Sequence, residues 1–328
     1  MILWTAGAVL LAALFAADMM TGSAGIRAAD VWKAMTGGDV PEQTRLIVMQ
    51  IRLPKTVTAL LAGMAVSVSG LLMQTLFRNP LAGPYVLGIS SGASLGAALC
   101  VLGTSASAAL AGSSVLAAAG MAGAAWAGAA AVLGIIALAS RKIGDITVIL
   151  ILGMMLGAGI DAVVQVLQFI SDEQSLKAYV MWTMGSLGNV SGVRLWLLAA
   201  AMLAGTGMAA VSCKPLNLLL LGEGYAASCG TDVRRVRLTV YAATVLLAGT
   251  VTAFCGPVGF IGLAVPHLAR LAAGNADHRV LIPATLLCGG VLMMSCDIIA
   301  RAAAIPINAV TSLAGIPVVI WIILRHRR

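Results

Sequence analysis

Two aspartates within apolar stretches are the residues best suited to chemistry. Asp161 precedes Gln165 and Gln168 at helical spacing, and Asp297 stands four residues before Arg301. A carboxylate in an apolar helix usually faces a polar interior or a water-filled path, because a charge is costly in hydrocarbon. Asp161 is therefore a candidate for a transport path, and the alternative is a carboxylate satisfied by neighbouring helices. Asp297 and Arg301 are predicted to pair on one helix face.

No catalytic motif accompanies these carboxylates. The sequence contains no GxxxxGK[ST] loop for ATP phosphates, no HExxH and no Ser-His-Asp set. Its six cysteines form no CxxC pair and mostly lie in or beside apolar runs, which favours buried free thiols. His267, three residues before Arg270, is interpreted as hydrogen-bonded within the protein, since a metal site needs more ligands than one histidine. We expect no catalytic residue, metal or cofactor here, which disfavours a membrane-embedded enzyme.

The composition is that of a membrane protein. Of the 328 residues, 60% are hydrophobic and only 10% are charged, and the mean hydropathy is +1.02. A soluble chain would carry roughly a quarter charged residues. The net charge of +8 does not indicate nucleic-acid binding, because Lys and Arg occupy short gaps between apolar runs. We predict an all-α polytopic protein with one transmembrane domain over residues 1–328 and no soluble domain.

The apolar runs predict about ten membrane crossings, since each needs about 20 mainly apolar residues. They lie near residues 2–20, 56–77, 85–103, 114–139, 146–169, 194–212, 236–255, 258–273, 281–300 and 308–324. The first is interpreted as a retained span, because no Lys or Arg precedes it as in a secretory signal. Pro54 is expected at the start of the second span, where a missing N–H costs nothing.

Basic residues set the orientation. A cytoplasmic N-terminus places about 12 of the 20 Lys and Arg in short cytoplasmic loops, including the basic end at 325–328, as the positive-inside rule favours. The others are exterior: Arg27, Lys33, Arg45, Arg52, Lys55, Lys177, Arg194 and Arg301. Two of these, Arg52 and Lys55, share a helical face if that turn is helical. They form either a headgroup anchor or a docking patch for an acidic partner.

Residues 215–237, PLNLLLLGEGYAASCGTDVRRVR, interrupt the apolar pattern on the cytoplasmic side. Apolar residues recur near helical spacing, and Gly222, Gly224 and Gly230 divide them into short pieces. The pattern predicts one or two short helices offered to another protein, and the alternative is a basic loop that anchors its flanking helices.

Residues 70–96 contain a second interruption. Pro80 and Pro84 disfavour helix in the residues before them. Irregular backbone near membrane depth is tolerated only against protein or a water-filled path. Asn79 is a candidate to cap or close such a path, and a plain tight loop is the alternative.

Several motifs together resemble the FecCD family, the permease subunits of bacterial ABC importers for iron–siderophore complexes, haem and vitamin B12. In chain order they are IRLPKT (51–56), GLLMQTLFRNPLAGPYVLGISSGASLG (70–96), MWTMGSLG (181–188), LNLLLLGEGYAASCGTDVRRVR (216–237), GPVGFIGLAVPHLAR (256–270), DHR (277–279), DIIAR (297–301) and IPINAVTSLAGIPVVIWIIL (305–324). The resemblance covers nearly the whole chain and implies ten helices per subunit. It also implies a homodimer of permeases in the inner membrane, two cytoplasmic ATPases that bind ATP and Mg, and an external binding protein.

The resemblance also implies roles for individual residues. Residues 216–237 match coupling helices that seat in a cleft of the ATPase, and the candidates there are Leu216, Leu220, Gly222, Glu223, Ala226, Gly230 and Arg234. Arg52, Lys55 and Arg301 match positions that meet carboxylates of the binding protein, with Lys55 where arginine and its bidentate pairing are usual. The gate and path candidates are Asn79, Leu81, Ile146, Thr147 and Asp161.

The cargo implied first is an iron complex, siderophore or haem, since that group is the broader one, and cobalamin is the alternative. A different reading is an ion-coupled carrier that works alone. The carboxylates counted within spans are about two, Asp161 and Asp297, which is few for such a carrier.

Overall fold

The computed structural model describes residues 2–22, 25–103 and 114–325, and no strand occurs among them. The α-helices of these ranges are α1 Ile2–Met20, α2 Ala28–Thr36, α3 Glu42–Leu46, α4 Leu53–Leu76, α5 Ile89–Val101, α6 Ser114–Ala139, α7 Ile146–Ile170, α8 Glu173–Thr183, α9 Val193–Val211, α10 Cys213–Leu220, α11 Glu223–Ser228, α12 Val233–Thr244, α13 Thr250–Cys255, α14 Ile261–Ala273, α15 His278–Ala303 and α16 Ile307–Arg325. Residues 326–328 of the predicted basic end lie outside the described ranges.

The all-α class and the predicted crossings are confirmed. Among the described residues, six helical segments are long and apolar enough to cross a membrane, and four shorter apolar helices bring the total to ten. Six predicted spans agree closely with α1, α6, α7, α9, α15 and α16. The remaining differences lie at the ends of spans.

The second span begins earlier than predicted. Residues Glu42–Leu76 form one continuous 35-residue helix, in which a π-helical segment, Ile47–Arg52, joins α3 to α4. Pro54 therefore stands inside the helix and not at its start. Because proline has no N–H and crowds the preceding turn, the wider π-helical geometry just before it accommodates the ring without ending the helix.

Two glycine contacts bring α4 against the helices that enclose it. A Cβ atom on Gly70 would overlap the backbone carbonyl of Gly262 in α14, and one on Gly63 would overlap that of Gly289 in α15. Small residues at such crossings let helix backbones approach closely, which is the main source of packing energy between helices in lipid. The contacts help to bury α4 between α14 and α15.

Gly70→Ala is expected to destabilise the fold, because the added methyl group must push α4 away from α14. Overpacking of this kind typically costs about 1–3 kcal/mol. Gly123→Ala in α6 is the matched control, since a Cβ there meets no atom within 4 Å. Thermal unfolding in detergent measures both variants. Equal midpoints for the two would contradict the close approach of α4 and α14.

Non-helical backbone completes two of the crossings. The helices α5 and α14 have 13 residues each, or about 20 Å, which is short of a bilayer core of roughly 30 Å. The segments before them, with Gly88 at φ 75° and Phe260 at φ 62°, line a common cavity of about 360 Å³. Asn308 accepts a hydrogen bond from the Gly259 N–H at 3.0 Å. The broken backbone is thus held by protein and faces a cavity, as membrane depth requires.

Candidate functional site

The segment 215–237, which the charge distribution predicts to be cytoplasmic, contains the two predicted short helices. The first, α10, ends at Leu220, and α11 covers Glu223–Ser228. Gly222 and Gly230 adopt φ of 115° and 80°, which other residues rarely reach, so each glycine lets the chain turn at one end of α11. The third glycine, Gly224, lies within α11 and does not break it.

The predicted coupling residues divide into an inner and an outer set. Leu216 and Ala226 are buried and hold α10 and α11 against the bundle, so they present no surface to a partner. The solvent-exposed members are Leu220, Gly230 and Arg234, and Gly222 and Glu223 are partly buried.

Two neighbouring apolar residues were missed in the sequence. Leu221 is 67% exposed and Tyr225 is 51% exposed, and together with Leu220 they form the exposed apolar face of the two helices. Helical periodicity identifies an apolar stripe, and the residues of this stripe at Leu216 and Ala226 are buried against the bundle. The missed signal was the large apolar residue on each side of the Gly222 turn.

Polar contacts fasten α10 to two spanning helices. Asn217 donates to Asp277 at 2.7 Å and accepts from the backbone N–H of His278 at 3.0 Å and from its ring Nδ1 at 2.6 Å. The other ring nitrogen lies 2.8 Å from the Thr75 hydroxyl in α4. Because an amide oxygen only accepts, Nδ1 must carry a proton. The Arg279 N–H and the Asn217 amide lower the pKa of Asp277, which strengthens its charged form.

Hydrogen bonds also fix the turn that carries Asn79 and Leu81. The Asn79 Oδ1 accepts from the Leu81 N–H at 2.9 Å, and Leu81 is exposed. His267 Nε2 lies 2.8 Å from the Pro80 carbonyl, which confirms that this histidine is bonded within the protein. Arg270 donates to Gln74 at 2.7 Å beside it. Asn79 thus shapes a turn that presents Leu81.

The gate candidates Ile146 and Thr147 lie at the start of α7. Asp145 is the N-cap of this helix and accepts from the Thr147 N–H at 2.8 Å. Thr147 is exposed and Ile146 is partly buried. The residues just before α7 therefore determine where both candidates lie.

Asp161 lies on an exposed face of α7. It makes no hydrogen bond or ion pair within the part of the chain that the structure describes. Gly153 and Gly157, on the buried face of this helix, contact Leu87 and Gly88. Both interpretations of Asp161, as a path residue and as a carboxylate satisfied by neighbouring helices, stay predictions.

Two of the three exterior candidates, Lys55 and Arg301, belong to an ionic cluster around the buried Asp18 and Asp297. Arg301 contacts Asp297 at 2.6 Å and Asp18 at 2.9 Å, so the predicted Asp297–Arg301 pair is confirmed. Thr56 donates to the same Asp18 oxygen at 2.6 Å, and Lys55 lies 3.3 Å from Asp297. Asp18, within α1, is a third carboxylate in the spans, where the sequence count recognised only two.

The three predicted docking residues differ in what they expose. Arg52 is buried and donates to the Met19 carbonyl at 3.0 Å. The side chain of Arg301 is 9% exposed, whereas that of Lys55 is 25% exposed. Lys55 thus presents more surface than Arg301. The role of all three residues toward a binding protein stays a prediction.

Residues 10–325 match the family model of the FecCD transport family. The chain belongs to the FecCD transport family. It is 38% identical to the haemin transport system permease protein HmuU of Yersinia pestis over 284 residues, which are 85% of this chain and 83% of that protein. It is also 38% identical to the vitamin B12 import system permease protein BtuC of Klebsiella pneumoniae over 287 residues, 86% of this chain and 84% of that one.

A solved structure shares the fold over the whole length of this FecCD protein. It is a metal-chelate type ABC transporter in an inward-facing conformation, with a TM-score of 0.84 and 28% identity, and the alignment covers 100% of this chain and 99% of that one. The chain is accordingly an ABC importer permease of the FecCD family, a transport subunit of the inner membrane.

Proposed function

We propose that two copies of this chain enclose the translocation path of an importer, driven by two cytoplasmic ATPases and supplied by an external binding protein. The observation that carries the proposal is Asp161 on the apolar helix α7, which is exposed and has no hydrogen-bond or ion-pair partner among the residues that the structure describes. A carboxylate at the centre of a span costs roughly 2.5–3.5 kcal/mol when it faces lipid. A water-filled path between two copies removes that cost.

A mostly apolar lining near the predicted exterior side suits a large cargo. A cavity of about 460 Å³ lies beside the exterior helix α8, and residues such as Met181, Trp182 and Phe254 line it. Ligand sites of this size are mostly apolar with few polar groups. Such a lining lets a bulky cargo pass without a tight set of ligands that would hold it.

The proposed mechanism starts at the cytoplasmic face. Leu220, Leu221 and Tyr225 seat in the ATPases, and closure of the ATPase pair on ATP moves α10 and α11. This movement rocks the two permease copies, so that the path opens alternately to the binding protein and to the cytoplasm. Leu81, exposed at a turn, and Thr147, exposed at the start of α7, close the cytoplasmic end of the path.

We propose an iron complex, with haem first, as the cargo, and the similarity to HmuU supports this choice. The equal identity to BtuC makes cobalamin the alternative. ATP-dependent uptake by proteoliposomes, which contain the chain with its ATPases and binding protein, distinguishes haemin, a ferric siderophore and cyanocobalamin. Uphill uptake by the chain alone on a proton gradient would overturn the proposal in favour of an ion-coupled carrier.

Asp161→Cys is expected to react with a charged methanethiosulfonate reagent, because water reaches this face of α7. Val163→Cys is the matched control, since Val163 is exposed but lies about 200° around the helix, toward lipid. Both changes are made with Cys229→Ser, which removes the one native cysteine exposed among the described residues. Labelling rates in membrane vesicles measure the difference, expected to be at least about tenfold. Equal rates would count against a path along Asp161.

A further inference from the structure

Arg237, near the start of α12, differs from the basic residues around it. Arg234 and Arg235 are exposed, whereas Arg237 is buried. Its Nη2 lies 2.6 Å from Glu223 Oε2 and 2.7 Å from Oε1, and its Nε lies 3.2 Å from Oε1. The same Nη2 donates to the Gly144 carbonyl at 3.0 Å. One guanidinium thus joins three segments of the chain.

Two of these segments belong to different parts of the proposed transport machinery. Glu223 is the first residue of α11, which carries part of the exposed coupling face. Gly144 directly precedes Asp145, the N-cap of α7, and α7 carries Thr147 and Asp161. The contacts of Arg237 therefore run from the ATPase side of the molecule to the start of the helix that lines the path. The polar contacts of α10 lead elsewhere, to α15 and α4.

We propose that Arg237 is a positioning residue that passes the displacement of α11 to the segment 140–145 and so to the start of α7. The inference rests on the proposed function and names the residue that connects its two ends. A motion of α11 carries the Glu223 carboxylate, the guanidinium follows it, and the Gly144 carbonyl follows the guanidinium.

Arginine is the residue that fits this position. Its planar fork binds a carboxylate through two nitrogens and still presents an N–H to a carbonyl in another direction. Lysine offers a single charged nitrogen and cannot hold both partners in the same geometry. Arg237 is buried and Glu223 is partly buried, which reduces screening of the pair by water and salt.

The test uses the assembled importer, with nitroxide labels at Lys142→Cys or at Ser228→Cys in a Cys229→Ser background. Position 142 reports the segment before α7, and position 228 reports α11. Distances between the labels on the two copies are measured by double electron–electron resonance, with and without a non-hydrolysable ATP analogue. The rate of ATP hydrolysis is measured on the same samples. In the unmodified importer both positions are expected to shift.

Arg237→Lys and Glu223→Gln are expected to leave the shift at 228 and to reduce the shift at 142 at least about threefold. Arg235→Gln is the matched control. It also removes an ion pair of an arginine, with Asp232 at 2.9 Å, but the Arg235 side chain is 87% exposed and both partners lie at the start of α12, so this pair connects no other segment. An unchanged distance shift at position 142 in both variants would overturn the role of Arg237. So would a loss of ATPase binding, ATP hydrolysis and both distance shifts in equal proportion, since that would show a general loss of folded importer. Failure of the unmodified chain to bind ATPases would instead refute the proposed function.

Discussion

Replacing Leu221 and Tyr225 together with aspartate is expected to release the ATPases from the permease. Both residues are large, apolar and more than half exposed, on the face that we propose meets the ATPases. Aromatic and aliphatic anchors of this kind carry most of the energy of a protein interface, and each buried unpaired charge costs several kcal/mol. The affinity should therefore fall by at least about 100-fold, and uptake should be lost.

Co-purification of the ATPases from detergent-solubilised membranes measures this effect, and the amount of permease in the membrane serves as the folding check. Trp32→Asp is the matched control, since it also places a carboxylate on an exposed aromatic position, but on the exterior helix α2. Retention of the ATPases by the double variant would show that they dock on another surface.

The spans could be predicted from the sequence because lipid imposes a simple requirement. Every backbone polar group in hydrocarbon must be bonded within its own segment, so an apolar run of sufficient length is a helix. Residues 146–169 and 308–324 illustrate this, since α7 and α16 match them within one or two residues. Proline gave a less certain guide: Pro54 lies inside a continuous helix because a π-helical segment absorbs it.

Burial within the site could not be predicted in the same way. Helical spacing identified Leu216 and Ala226, which face the bundle, together with the exposed Leu220. It overlooked Leu221 and Tyr225, which face outward. Period alone shows that a stripe is apolar, and it does not show whether the same chain covers that stripe. Long-range partners were equally invisible: nothing in the sequence near Glu223 indicates the Gly144 carbonyl, about 80 residues earlier, to which its arginine is bonded.

The exterior cluster shows how one pattern supports two functions. The family resemblance implied docking for Arg52, Lys55 and Arg301, and two of these residues, Lys55 and Arg301, also pair with carboxylates inside the chain. Asp18 and Asp297 are buried beside Arg301, and Arg301 also donates to the backbone carbonyl of Asp18 at 3.0 Å. Removing one partner from such a cluster is far more costly than removing an exposed pair.

Arg301→Met is expected to destabilise the protein by about 3–5 kcal/mol, because two buried carboxylates lose their main counter-charge. Lys55→Met should cost less than about 1 kcal/mol, since this amine is partly exposed and has a single contact at 3.3 Å. Unfolding midpoints in detergent and the affinity for the binding protein separate the two roles. We expect Lys55→Met to weaken docking at nearly unchanged stability and Arg301→Met to lose folded protein. If Arg301→Met is instead as stable as the unmodified chain and only docking fails, Arg301 acts at the interface and its contacts with Asp18 and Asp297 contribute little.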